Sequence, residues 1–140
     1  MSNLPTTLPA WLALLESRHA ETVINMGLDR VLAVKERLQL AFTCPVIMVA
    51  GTNGKGSVAT MTSNILRTAG YRTGLFMSPF ITDFRERIQI DNALIPEQDL
   101  LTVTQQVATA LVSLDAALAP DVPTEFEVLT AIMFTYFAQQ

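Results

Sequence analysis

The chain has 140 residues, 50% of them hydrophobic and 16% charged, with a formal net charge of −4; this is the size of one ordinary domain with ample material for a core, and the mean hydropathy of +0.36 is high for a free-standing one. Nine basic residues scattered through an acidic chain leave no cationic stripe to displace counterions from a phosphate backbone, which excludes a nucleic-acid partner. No run approaches the roughly 18 apolar residues of a membrane span, and Met1 to Pro9 lack the basic start and apolar centre of a signal peptide, so a soluble, unexported, cytoplasmic protein with no membrane partner is expected.

Residues 9–20, with Trp11, Leu12, Leu14 and Leu15, read as a short helix, and Gly27 separates them from a second in which Leu28, Val31, Leu32, Val34 and Leu38 recur at helical spacing. Pro45 opens Val46-Ile47-Met48-Val49-Ala50, a continuous apolar run of the kind buried on both faces of a parallel sheet. A glycine-rich turn over residues 51–56 leads into residues 57–69, which place Val58, Met61, Ile65 and Leu66 on one helical face before Gly70 stops the helix. Residues 73–77 are a second apolar strand. The order strand, glycine loop, helix, strand predicts a βαβ unit with a right-handed crossover.

Residues 78–86 read as an ordered loop in which Asp83 and Arg87 can form a surface ion pair. Arg87-Ile88-Gln89-Ile90 alternates as a half-exposed strand does, and Asp91-Asn92 supplies turn chemistry before Ala93-Leu94-Ile95, which predicts a small hairpin. Pro96 begins the longest helix, with Leu100, Val103, Val107, Ala110, Leu111, Leu114 and Leu118 at three- and four-residue steps. Pro120 and Pro123 break the chain. Thr124 then starts a last helix whose apolar residues, Phe126 to Phe137, leave little polar face, so it is expected to be buried nearly all round. There is no internal repeat, and residues 1–140 read as one folding unit.

The loop Gly51-Thr52-Asn53-Gly54-Lys55-Gly56-Ser57 carries the chemistry. A loop that leaves a buried strand and enters a helix aims successive backbone N–H groups and the positive end of the helix dipole at one small volume, which suits a phosphate. Glycines at 51, 54 and 56 permit angles and approaches denied to other residues. Lys55 brings a positive charge to terminal phosphates, and Ser57 a hydroxyl to magnesium. The usual phosphate loop has Ser or Thr directly after Lys; here Gly56 intervenes, and Val49 stands where the first Gly is expected, so this is a variant.

The series Val49 to Ser57, then Ser78-Pro79-Phe80-Ile81, Glu86-Arg87-Ile88 and Thr124-Glu125-Phe126-Glu127, with Gly27-Leu28-Asp29-Arg30 upstream, resembles folylpolyglutamate synthases and bifunctional dihydrofolate synthases, relatives of the Mur-type ligases. The resemblance implies an ATP- and magnesium-dependent ligase. In such an enzyme the carboxylate of a pteroate or folate becomes an acyl phosphate, and the amino group of L-glutamate displaces the phosphate. It implies that residues 51–57 hold ATP with Lys55 as the catalytic cation. Ser57, Ser78 and Glu127 would ligate magnesium through hard oxygens. Phe80 and Arg85 of the loop after Ser78 would touch the pterin substrate.

Thr124 and Glu127 also have the spacing of a capping box, which spacing alone favours; the resemblance favours the metal, with Glu125 as the alternative ligand. His19 reads as a surface helix residue and Cys44, the single cysteine, as a packed thiol in a reducing compartment, with no catalytic triad in prospect.

The fold expected is therefore α/β, a parallel nucleotide-binding sheet flanked by helices, present here as the amino-terminal part of an ATP-binding domain without the family's carboxy-terminal remainder. Such a piece is expected to be inactive alone and to self-associate through an open sheet edge. Two rivals stand beside this reading, a Mur-type ligase of peptidoglycan precursors and a non-catalytic nucleotide-binding module. Ser78-Pro79-Phe80 and its charged loop favour folate over the former.

Overall fold

The computed structural model describes residues 5–21, 27–41, 43–119 and 121–140, the side chains of residues 19–21 excepted, so that of His19 lies outside the described residues. In chain order the elements are α1 (Leu8–Glu21), α2 (Asp29–Arg37), α3 (Lys55–Thr68), β1 (Gly74–Phe76), a 3-10 turn (Phe84–Arg87), β2 (Ile88–Ile90), β3 (Ala93–Leu94), α4 (Glu97–Leu118) and α5 (Glu125–Ala138). They gather into two compact units, one comprising the chain up to Phe42 with Gln98–Gln140, the other Thr43–Glu97.

The first unit is helical. Its centre is α5, which buries Val128, Leu129, Ala131, Ile132, Met133, Thr135 and Tyr136; α1 and α2 pack on it, with Trp11, Leu15 and Val34 buried. The nearly all-round burial expected of this helix is observed, with Phe126 in its first turn 53% exposed. Each fully buried side chain of this size contributes about 1.5–3 kcal/mol relative to exposure.

Helix α4 buries Leu100, Val103, Thr104, Val107, Ala108, Ala110 and Leu111 along one stripe. Its polar side chains reach the other helices: Asp115 accepts from Arg18 of α1, Ser113 from Arg37 of α2, and Gln106 from Gln139 after α5. By length and composition α4 could cross a membrane, contrary to the sequence expectation, but its buried stripe is that of a core helix.

The second unit holds a three-stranded sheet, order β1-β2-β3, antiparallel throughout. Gly74, Leu75 and Phe76 pair with Ile90, Gln89 and Ile88. The predicted hairpin joins β2 to β3, and its turn residues Asp91 and Asn92 both take positive φ, 51° and 68°, as a two-residue hairpin turn requires. Asp91 Oδ1 also accepts from the Thr73 amide at 2.8 Å, tying the turn to the start of β1.

The parallel βαβ pairing is not formed among the described residues. Residues 46–50 carry no ladder hydrogen bonds, and Val46, Ile47 and Met48 are 70%, 61% and 87% exposed. A strand apolar on both faces needs a neighbour at its edge and cover on its faces, and here β1 takes β2 as its antiparallel partner instead. The same lack of cover leaves Cys44 exposed rather than packed.

Candidate functional site

The glycine loop ends as a helix N-terminus. Gly54 is the N-cap of α3 with φ 74° and ψ 0°, a left-handed conformation that disfavours any side chain, and Gly51 has φ 150°. Gly56 needs no such freedom; it lies inside α3, and a Cβ built on it would stand 3.7 Å from Met77 Cε.

Lys55, Gly56 and Ser57 are the first three residues of α3, whose N–H groups have no carbonyl within the helix to bond. The first amide so satisfied is Val58 N–H, which donates to Gly54 O at 2.9 Å. No side chain caps this end, whereas Thr124 caps α5 and Asp83 caps the 3-10 turn.

Lys55 folds back over the loop, its Nζ donating to Gly51 O at 2.6 Å and Thr52 O at 3.1 Å. An ammonium has three donors, so one remains after both carbonyls are served. The cation is thereby fixed over the loop that holds the uncapped amides.

Met77 links this helix start to the next motif. It lies against Gly56, contacts Thr60 Oγ1 through its sulfur at 4.0 Å, and immediately precedes Ser78. Ser57 and Ser78 are both exposed, and neither hydroxyl is engaged by another group among the described residues. As free neutral oxygens they fit a hard cation that keeps several waters and phosphate oxygens.

Glu127 fits less well. Both halves of its capping box are made: the Thr124 amide donates to Oε2 at 2.8 Å and the Glu127 amide to Thr124 Oγ1 at 3.3 Å. Arg30, 6% exposed, donates through Nε to both carboxylate oxygens (3.2 and 3.0 Å) and through Nη2 to Oε1 (3.0 Å), while Nη1 reaches Asp121 at 2.8 Å. Each oxygen of Glu127 thus receives two donors, filling the roughly four lone-pair positions of a carboxylate. A metal there has to displace Arg30. Burial pushes the Glu127 carboxyl up, but Arg30 and the Thr124 cap outweigh it and hold it below the usual carboxylate range. Among the described residues no three His, Cys, Asp or Glu side chains converge as a metal site.

The loop after Ser78 is organised by Glu86, a role sequence reasoning missed. Its carboxylate accepts from the amides of Ile81 (2.8 Å), Thr82 (3.0 Å) and Asp83 (2.9 Å) and from the Thr82 hydroxyl (2.6 Å). The Thr82 hydroxyl and these amides lower its pKa to about 2. Asp83-Phe84-Arg85-Glu86 has capping-box spacing, the signal that could have found it.

Asp83 pairs with Arg85, not with Arg87 as expected: its cap position puts it beside the Arg85 amide, and Arg85 Nη2 lies 2.7 Å from Oδ2. Arg87 instead lies over Phe80 and Phe84. Phe80, 39% exposed, meets Phe84 edge-on at 6.0 Å.

An open cleft of about 380 Å³ lined by Arg67, Gly70, Tyr71, Arg72 and Asp91 lies at the far end of α3 from the loop. Fourteen helical residues, roughly 20 Å, separate the two ends of α3, so this cleft and the uncapped amides are different places.

No family model matches the chain. It is 44% identical over 94 residues to folylpolyglutamate synthase of Lacticaseibacillus casei, which covers 67% of the chain and 22% of that protein. It is 41% identical over 91 residues to dihydrofolate synthase/folylpolyglutamate synthase of Bacillus subtilis, covering 65% and 21%. The crystal structure of folylpolyglutamate synthase from Thermotoga maritima superposes with a TM-score of 0.81 at 37% identity, over 94% of this chain and 31% of that one. An FPGS complex with AMPPCP and folate superposes at 0.80 and 35% identity, over 92% and 32%. The chain therefore spans about a fifth of the length of the curated relatives it matches. These matches uphold the α/β class although the described sheet is antiparallel. Sequence and fold agree, and together they place this chain in the folylpolyglutamate synthase and dihydrofolate synthase family.

Proposed function

We propose that this chain supplies the nucleotide grip of a cytoplasmic, ATP-dependent carboxylate–amine ligase that adds L-glutamate to dihydropteroate, to a reduced folate, or to both. The observation that carries this is the uncapped start of α3, where the amides of Lys55, Gly56 and Ser57 stand free beside the Lys55 ammonium.

The chemical need matches that arrangement. A carboxylate and a γ-phosphate repel, so positive charge must neutralise the transferring group before the acyl phosphate can form and glutamate displace it. Lys55 supplies one such charge, and residues 51–57 fix the triphosphate through backbone N–H groups. Magnesium supplies a second when bound. Ser57 and Ser78 would hold it, while Glu127, in the helical unit, is engaged by Arg30. Phe80 and its neighbours in the loop braced by Glu86 would present an aromatic surface to the pterin.

Incorporation of isotope-labelled glutamate into a pteroate acceptor, coupled to ATP turnover, tests the reading. Nucleotide binding without incorporation would favour the second reading, a non-catalytic nucleotide-binding module. Incorporation into a peptidoglycan precursor instead would favour a Mur-type ligase.

A further inference from the structure

The cleft at the far end of α3 carries both signs of charge. Arg67 stands in the last turn of the helix, which Gly70, at φ 91°, closes with a Schellman turn: the Gly70 amide donates to Arg67 O at 3.0 Å and the Tyr71 amide to Leu66 O at 3.1 Å. That reversal brings Tyr71 and Arg72 to the same cleft as Arg67. The Arg67 side chain has no acceptor among the described residues, although its guanidinium offers five N–H donors.

Asp91 completes the lining from the hairpin turn. Its Oδ1 accepts from the Thr73 amide at 2.8 Å and the Thr73 hydroxyl at 3.4 Å, which fixes the carboxylate, while Oδ2 receives no donor among the described residues. Two guanidiniums and one carboxylate thus line an open volume of about 380 Å³, and the carbonyl end of α3 adds partial negative charge beside Asp91.

These charges are the complement of an α-amino dicarboxylic acid, which carries two carboxylates and one ammonium. Each carboxylate can meet a guanidinium, and the ammonium can meet Asp91 and the end of the helix dipole. A plain dicarboxylate gives Asp91 nothing to hold, and an amino acid with one carboxylate leaves an arginine unserved. Arg67, Arg72 and Asp91 are all exposed, so every contact is screened and the affinity should be low, about 1–10 mM.

We propose that this cleft binds an amino dicarboxylic acid of the glutamate class, at a site separate from the loop of residues 51–57. The proposal stands on the charge pattern of the cleft and does not need the ligase reading. It extends that reading by giving the chain a place for an amino co-substrate away from the nucleotide.

The test follows backbone amide shifts of the full chain, at constant ionic strength and without nucleotide, as L-glutamate, glutarate or 4-aminobutyrate is added. L-glutamate should give saturable shifts at residues 67–72 and 91, and the other two should bind about two- to fivefold more weakly, the scale of one exposed charged contact. Asp91→Asn keeps an oxygen for Thr73 and tolerates the positive φ of its turn, so it should weaken L-glutamate alone and abolish the preference over glutarate. Arg67→Gln should abolish the preference over 4-aminobutyrate, and it serves if Asp91→Asn disturbs the amides of the sheet. Equal binding of all three compounds, preferences that survive both variants, or no saturable shift at these residues would overturn the proposal. No nucleotide is present in these titrations, so their failure leaves the assignment of residues 51–57 untouched.

Discussion

Replacing Arg30 by Met probes the junction of α2 with the start of α5. The guanidinium is 6% exposed and places three hydrogen bonds on Glu127, whose side chain is 13% exposed, and one on Asp121, whose side chain is 49% exposed. Breaking a buried pair by removing one partner costs about 3–5 kcal/mol, and the exposed Asp121 contact adds 0–1 kcal/mol at most. Glu127 keeps its Thr124 cap and Met refills the aliphatic volume, so the loss should lie near the lower bound, about 3 kcal/mol at pH 7.

The lone tryptophan, Trp11, is buried in the same helical unit and reports its unfolding in urea. With a slope of about 2 kcal/mol/M the midpoint should fall by roughly 1.5 M. The pH dependence supplies the sign. In the wild type the folded Glu127 carboxyl lies below its unfolded value, so the pair's stabilisation is fully present above about pH 4.5 and is lost as pH falls through the folded pKa. Without Arg30 only the Thr124 cap is left to oppose burial, so that gain shrinks. The difference between wild type and Arg30→Met should therefore be largest at neutral pH and shrink towards pH 3. A difference that is constant with pH, or smaller than about 1 kcal/mol at pH 7, the scale of a surface pair, would refute the assignment of Glu127 to Arg30.

Three further changes have defined outcomes. Thr124→Ala removes the side-chain half of the α5 cap and should cost about 1 kcal/mol in the same Trp11 assay, while Thr124→Ser should cost almost nothing. In the Glu86 loop the amide signals of Ile81, Thr82 and Asp83 should hold their positions as pH falls past 4.5 and move together near pH 2, since a lowered carboxyl pKa keeps the loop ordered until that proton is bound; a midpoint at 4 or above in the NMR titration would show the brace is not made. Lys55→Ala should leave both units folded, the side chain being exposed, but remove several kcal/mol of transition-state stabilisation from any ATP-dependent turnover; unchanged turnover would disqualify Lys55.

What the sequence made legible follows from which signals are local. The five helices among the described residues are found where periodicity and punctuation put them, because a helix satisfies its own backbone, and Asp91-Asn92 marks the hairpin because both residues tolerate the positive φ of its turn. The Thr124 to Glu127 capping box was readable for the same reason. Residues 46–50 were misjudged because a strand depends on what lies beside it, and composition shows only that cover is wanted, not that it is present.

At the site, the glycine loop and Ser57 at the helix start were legible from spacing. The partners of Glu127 and the arginines were not, because Arg30 meets Glu127 across 97 residues of chain. Arg85 and Arg87 look equivalent in the sequence; only the rings beside one and the carboxylate beside the other tell them apart.

The central claim is that the amides between Gly54 and Ser57 cradle a triphosphate. It is tested most directly by following backbone amide shifts of the chain as a non-hydrolysable ATP analogue and magnesium are added. The account predicts saturable shifts centred on residues 51–57 that Lys55→Ala weakens at least tenfold, about the effect of one charge-assisted phosphate contact. Shifts that fall instead on the Arg67–Arg72 cleft at the other end of α3, or no saturable shifts at all, would contradict it.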